Sequence, residues 1–149
     1  MRAVVQRVVS CAVTVRGEVV AHIDEGVLAY VSIEPADDER DADYLADKIV
    51  NLRIFPDAQG KMNLSALSAR KGVLVVSQFT LHADARKGRR PSYDGAASPA
   101  AAEPRYRRLL ELLALKGIVP QAGVFGASMD VTYTNRGPVT ILLDSKRLF

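Results

Sequence analysis

Four consecutive residues, Ser77-Gln78-Phe79-Thr80, put two hydroxyls, a carboxamide and an aromatic ring where the apolar run Val73-Leu74-Val75-Val76 gives way to a polar loop. A strand buried on both faces is a rigid base, and groups at its end can be held against a substrate. Strand alternation sends Ser77 and Phe79 to one face and Gln78 and Thr80 to the other, so all four converge only if the strand bulges or stops there. Main-chain N–H groups released at such a stop could instead donate to a developing oxyanion. An ordinary strand end whose polar residues satisfy one another locally has the same composition.

A hydroxyl becomes a good nucleophile only beside a base, and the usual base is a histidine oriented by a carboxylate. The chain has two histidines, His22 and His82, and only His82 is near the tetrapeptide, in a loop two residues beyond Thr80. Protein-side acid/base chemistry is therefore weakly signalled, and ester hydrolysis here would lean on positioning and on groups the substrate brings. Neither histidine stands at ligand spacing from Cys11, so no metal site and no cofactor are expected.

Two further segments invite a function. Arg86-Lys87-Gly88-Arg89-Arg90-Pro91 is a basic loop in which glycine permits close backbone approach, as phosphate contacts require, although solvated basic loops look the same. Arg105, Arg107 and Arg108 could extend that patch, and no aromatic-rich stacking platform accompanies it. Gly137-Pro138 falls between two strand-like runs, where proline removes a ladder donor and demands an edge, a turn or a bulge; a hairpin turn is the ordinary reading.

The elements that must carry these residues are legible from periodicity. Valine-rich alternation with turns at Arg16-Gly17 and Glu25-Gly26 predicts consecutive antiparallel strands over 2–9, 10–16, 18–23 and 26–34. From Asp38, the recurrence of Ala42, Leu45, Ile49 and Leu52 predicts a surface helix with an acidic start. Short and long strands follow at 53–56 and 72–79, then a long loop over 82–98. Ser98-Pro99 opens a second helix with the stripe Tyr106, Leu109, Leu110 and Leu113, whose start Pro104 should delay or kink and which Gly117 ends. Strands at 129–134 and 139–144 complete an α/β (α+β) pattern of mainly antiparallel strands with two main helices.

Composition excludes several classes. With 149 residues, 48% hydrophobic and 25% charged, the chain is expected to be a single domain over 1–149, neither disordered nor membrane-embedded. One cysteine permits no internal disulfide. The opening Met1-Arg2-Ala3-Val4-Val5-Gln6-Arg7 holds no signal-like apolar run, and no stretch is long enough for a membrane helix. A cytosolic (cytoplasmic) location and no membrane partner are expected. The net charge of +3 is uneven, with Glu34, Asp37, Asp38, Glu39, Asp41, Asp43 and Asp47 set against Arg40 in one segment and the arginine-rich 86–108 in another. The second segment is the face for an anionic partner.

Several motifs occur in one order: Met1-Arg2-Ala3-Val4-Val5-Gln6-Arg7-Val8, Asn51-Leu52-Arg53-Ile54-Phe55, Gly60-Lys61-Met62-Asn63, Ser77-Gln78-Phe79-Thr80-Leu81, the basic loop, Gly123-Val124-Phe125-Gly126, and Asn135-Arg136-Gly137-Pro138-Val139-Thr140. In order and spacing, over essentially the whole chain, they resemble the D-aminoacyl-tRNA deacylase family. The resemblance implies a barrel-like, mainly antiparallel sheet with two helices, working as a homodimer on the aminoacyl-tRNA 3′ end. It implies that Ser77, Gln78, Phe79 and Thr80 line the pocket for the terminal adenosine and the ester. It also implies that Gly137 and Pro138, joined by a cis bond, enter the partner subunit's site, where their carbonyls exclude an L side chain. Steric exclusion of that kind cannot reject glycine, so glycyl-tRNA should be cleaved too. Arg86, Lys87, Arg89 and Arg90 would meet tRNA phosphates, and the 2′-hydroxyl of the terminal ribose would assist hydrolysis, with Thr80 as the alternative nucleophile. Two departures stand out: Ser32, where relatives usually have glycine, in a core strand expected to lie away from the site, and Arg136, where an acidic or small polar residue is common. The competing expectations are a non-catalytic tRNA-end-binding module and a small-ester hydrolase using Thr80.

Overall fold

The computed structural model describes residues 1–148. The elements are β1 (Arg2–Val15), β2 (Glu18–Ile23), β3 (Gly26–Ser32), α1 (Glu39–Asn51), β4 (Phe55–Pro56) and β5 (Met62–Leu64). After them come β6 (Gly72–Ser77), a 3-10 turn (Phe79–His82), α2 (Pro99–Leu115), β7 (Gln121–Ala122) and β8 (Asp130–Asp144).

β1 is one strand where alternation alone suggests two. Ala3 and Val5 point inward, the phase changes at Arg7 and Val8, and burial resumes at Cys11 and Val13. The cause is a bulge: Val8 pairs with Asn135 and Cys11 with Tyr133, so Val9 and Ser10 stand against Thr134 alone. Bulges bend and twist a strand without ending it. The bend lets β1 serve two cores. Ala3 and Val5 pack under the helices, whereas Val8, Cys11 and Val13 join Leu28, Leu74 and Val76 inside the curled sheet. Burial pushes the Cys11 thiol up to about 11, which leaves it protonated and inert at neutral pH.

β8 likewise runs unbroken, antiparallel to β1. The expected hairpin at 135–138 is instead a bulge: Gln6 pairs with Thr140 and Val8 with Asn135, so Arg7 alone faces residues 136–139. Proline is tolerated because the bulge lies outside the ladder and β8 is an edge.

The sheet order is β2-β1-β3-β6-β7, with β8 on β1. β1 is antiparallel to its three neighbours, whereas β3–β6 and β6–β7 are parallel. β2 curls back towards β6 and β7, which makes the sheet barrel-like. Where β3 and β6 start side by side, a Cβ on Gly26 would fall 2.2 Å from the Gly72 carbonyl oxygen, so only glycine allows the pairing.

The helices pack on the outer face of this sheet. α1 starts in a capping box, Asp38 accepting from the Arg40 N–H at 2.8 Å and Asp41 from the Asp38 N–H at 2.8 Å. Burial works against the Asp41 charge, yet the Lys146 ammonium at 2.7 Å and the Asp38 N–H bring its pKa down to about 2. α2 begins at Pro99, so Pro104 does not delay it; Pro104 is exposed, as is Ala100, whose carbonyl loses the missing donor to water. Leu45, Ile49, Leu109 and Leu113 are fully buried in the helix–sheet core, and truncating any one to alanine should cost about 2–5 kcal/mol. Among the described residues no helix is long and apolar enough to cross a membrane.

Candidate active site

β6 stops at Ser77, and the chain turns at once into the 3-10 turn, with Gln78 at its cap. That stop resolves the alternation problem. The Gln78 N–H still bonds across to the Val31 carbonyl at 2.7 Å, while its own carbonyl accepts from the Leu81 N–H at 3.2 Å. A 3-10 turn has no internal acceptor for its leading N–H groups, so those of Phe79 and Thr80 are left as a donor pair at the end of a buried strand. Two adjacent main-chain donors on a rigid base are what an ester carbonyl needs as its oxygen gains charge.

Ser77, Gln78 and Phe79 line one cleft of about 490 Å³. Its floor is apolar, from Val31, Ile33 and Val76, and its far walls come from the start of α2, from Phe125-Gly126-Ala127, and from Met129 and Val131. Thr80 does not line it, but its hydroxyl accepts from the Gln78 amide nitrogen, so the two side chains act as a unit. At the mouth, Phe79 is 56% exposed and meets Tyr93 edge to face, with ring centroids 5.2 Å apart. This pair is an aromatic surface on which a base can stack. Sequence reasoning missed it because Tyr93 sits in an irregular loop, well beyond its ring partner along the chain.

His82 is no base for Thr80. It is buried at 7% exposure, and its Nδ1 is hydrogen-bonded to the Ser32 hydroxyl at 2.6 Å. Burial first, then the nearby Arg2 guanidinium and N-terminal amine, hold its pKa below the usual value, so it is neutral at physiological pH. Ser32 also donates to the Phe79 carbonyl at 3.2 Å. The expectation that Ser32 lies away from the site is thus corrected: it sits directly beneath the turn, because β3 and β6 are neighbours and Val31 pairs with Ser77.

Gly137 and Pro138 do not line the cleft of their own chain. They form the crest of the β8 bulge, exposed, with the peptide between them cis and Gly137 at φ +120°. The bulge is pinned from inside. Arg7, 9% exposed, donates from Nε to the Arg136 carbonyl at 3.2 Å and from Nη1 to the Ile54 carbonyl. Asn135 spans the base of the bulge, its Oδ1 accepting from the Val139 N–H at 3.0 Å and its Nδ2 donating to Thr140 Oγ1 at 3.0 Å.

The basic loop is closed by an Asp84–Ser92 bridge, N–H to carbonyl in both directions at 2.8 and 2.9 Å. Arg86 turns back on Asp84 through two side-chain bonds of 2.6 and 2.9 Å, which hold the Asp84 carboxyl down at about 2. Lys87, Arg89 and Arg90 are exposed and form no ion pair among the described residues. Arg107 and Arg108 do not extend the patch, since Glu103 neutralises the first and Glu39 and Glu111 the second. Among the described residues no group of His, Cys, Asp and Glu is placed to hold a metal ion.

Similarity to known proteins runs over nearly the whole chain. The family described as D-Tyr-tRNA(Tyr) deacylase matches residues 4–144. The D-aminoacyl-tRNA deacylase of Halothermothrix orenii is 54% identical over 149 residues, covering 100% of both chains. That of Bacillus velezensis is 52% identical over 147 residues, 99% of this chain and 100% of the relative. A solved structure described as c-Myc DNA Unwinding Element Binding Protein superposes with a TM-score of 0.93 at 38% identity, over 97% of this chain and 98% of that one. A probable eukaryotic D-amino acid tRNA deacylase superposes at 0.79 with 15% identity, over 95% and 97%, a likeness of fold. At such identity from end to end, the chain belongs to the D-Tyr-tRNA(Tyr) deacylase family and is a hydrolase of D-aminoacyl-tRNA.

Proposed function

We propose that this deacylase works as a homodimer of single-domain subunits in the cytosol, taking the tRNA 3′ end into the Ser77–Thr80 cleft and the amino acid against Gly137 and Pro138 of the partner subunit. The observation that carries the reading is the N–H pair of Phe79 and Thr80 at the strand end. The ester carbonyl rests on those donors, and the terminal adenine stacks on Phe79 and Tyr93. His82 is committed to Ser32 and is not available to activate Thr80. The neighbouring 2′-hydroxyl of the ribose, already held by binding, supplies the missing group.

Chiral selection falls to the bulge. A pinned backbone crest in the space of an L side chain imposes a clash that a D side chain avoids and that glycine escapes. Glycyl-tRNA is therefore cleaved as well. The homodimer is supported by β8 itself: fifteen residues long, it pairs among the described residues only with β1 and leaves its other edge open, with Leu142 at 59% exposure near one end and Tyr133 exposed towards the other. Long open edges of this kind are normally covered. Lys87, Arg89 and Arg90 contact phosphates, and Arg86 acts chiefly by ordering their loop.

The test is release of tyrosine from D- and L-tyrosyl-tRNA, in excess over a trace of enzyme, with natural and 2′-deoxy 3′ ends. The expected result is repeated turnover of the D ester with the natural end, none with the 2′-deoxy end, and activity surviving Thr80→Ala. Cleavage of the 2′-deoxy substrate with loss of activity in Thr80→Ala would instead make Thr80 the nucleophile. Protection of both esters without release would leave a tRNA-end-binding module.

A further inference from the structure

We propose that Ser32 and His82 are positioning residues for deacylation: the imidazole donates through Nδ1–H to the Ser32 hydroxyl, which donates onward to the Phe79 carbonyl and so aims the Thr80 N–H at the ester. The inference rests on the reading of the Phe79–His82 turn as the ester-binding turn.

The protonation pattern follows from counting hydrogens. Ser32 Oγ stands 2.6 Å from His82 Nδ1 and 3.2 Å from the Phe79 carbonyl oxygen. A hydroxyl has one hydrogen, so both contacts are bonds only if Ser32 donates to the carbonyl and accepts from a protonated Nδ1. Ser32 is 1% exposed, so water does not substitute for a lost partner there.

The link to chemistry is the planarity of one peptide. The carbonyl of Phe79 and the N–H of Thr80 belong to the same trans peptide unit and point in opposite directions. Anchoring the carbonyl inward to β3 therefore fixes the N–H outward. The preceding peptide is set in the same way, its Gln78 carbonyl being held by the Leu81 N–H. At the far end of the turn, Arg2 donates from Nη1 to the Leu81 carbonyl at 3.2 Å while its Nε holds Asp144. The 3-10 pattern also brings the His82 N–H to the Phe79 carbonyl, and the Ser32 bond is the side-chain anchor added to that peptide, one that depends on a side chain the turn itself supplies.

The charged groups around the imidazole are Arg2 of β1 and the Met1 amine on one side of the balance, and Asp37 and Asp144 on the other. The Met1 amine is itself paired with Asp37, and Arg2 with Asp144. The opposed charges largely offset one another in pairs, and burial keeps the ring neutral, with the Nδ1–H that the Ser32 contacts require.

The experiment compares Ser32→Ala, His82→Leu, the double variant and His82→Asn in steady-state release from D-tyrosyl-tRNA, with thermal unfolding measured alongside. Asparagine keeps a donor near the position of Nδ1, whereas leucine keeps only bulk. Ser32→Ala and His82→Leu are each expected to lower kcat about tenfold with KM changed less than about twofold, because binding precedes the donor's task. The double variant should be no worse than Ser32→Ala, since both changes cut one relay. His82→Asn should recover most of the lost kcat. Wild-type kcat in Ser32→Ala and His82→Leu, multiplying effects in the double variant, or equal defects in His82→Asn and His82→Leu would each overturn the proposal. If Ser32→Ala fails to fold, the leucine–asparagine comparison at position 82 decides alone. Phe79→Pro, which removes one of the two main-chain donors at the first position of the turn, separates the two levels: a defect there with silent Ser32 and His82 variants sinks only the relay, and a silent Phe79→Pro sinks the assignment of the turn.

Discussion

Gly137 shows how narrow the tolerance is at the level of a single residue. At φ +120°, a Cβ would stand 2.7 Å from Arg7 Nη2 and 2.9 Å from Val139 Cγ2. The Arg7 guanidinium cannot retreat freely, because it is buried and already holds the Ile54 and Arg136 carbonyls. Gly137→Ala should therefore reshape the bulge at a cost of about 1–3 kcal/mol, lowering the melting temperature. It should also reduce the ratio of D- to L-tyrosyl-tRNA cleavage by about tenfold or more, if the crest is what excludes the L side chain. An unchanged ratio in a destabilised variant would remove the bulge from chiral selection. His82 offers a second residue-level test. Its folded pKa lies below the ordinary value of 6.5, so the unfolded chain takes up the proton first as pH falls. Stability is then full above that value and declines as pH drops from 6.5 through the folded pKa. Chemical denaturation of wild type and His82→Asn across that window should show the wild type losing more, and parallel curves would refute a buried neutral imidazole.

At the scale of elements, the basic loop separates two roles that composition merges. Removing Lys87, Arg89 or Arg90 should weaken tRNA binding at every tRNA sequence and flatten the salt dependence, by roughly 0.7 in log affinity per log salt for each phosphate that is no longer neutralised. Arg86→Ala should leave that slope largely intact and instead loosen the loop, seen as faster amide exchange over residues 84–92, because Arg86 is spent on Asp84. An Arg86 slope equal to that of Arg89 would erase the distinction. Elements also differ in how far a sequence can reveal them. α1 is readable to within a residue, since a capping box and an apolar period are local signals. β6 and the strand end that carries Ser77 and Gln78 are readable because a strand buried on both faces has its own signature. β1 and β8 each read as two strands because bulges interrupt alternation, and a bulge is set by the partner strand's register, which no local window contains. The position of Ser32 beneath the turn is hidden for the same reason: it depends on β3 lying parallel to β6, a pairing between residues far apart in sequence.

For the whole molecule, the separation of cleft and bulge within one chain has a consequence for mixed assemblies. Gly137 and Pro138 stand on an exposed crest and do not line the cleft of their own chain. If each site takes the cleft of one subunit and the bulge of the other, a two-fold dimer has two such sites, related by exchange of the chains. One variant can then be disabled in the cleft, as Phe79→Ala with Gln78→Ala, and another in the bulge, as Gly137→Ala. Co-refolding them in equal amounts makes half of the dimers mixed. In a mixed dimer one site inherits both defects and the other inherits neither, so about a quarter of all sites should be fully D-selective, and cleavage of the L ester per Gly137→Ala subunit should fall by about half. Sites built within single subunits would inherit one defect each in the mixed dimer, and L-ester cleavage per Gly137→Ala subunit would stay unchanged at every ratio. The same mixture made with Leu142→Lys on the open edge of β8 in both chains should lose the recovered selectivity on dilution, as subunits part. Recovery that persists through that dilution would place the subunit contact somewhere other than β8.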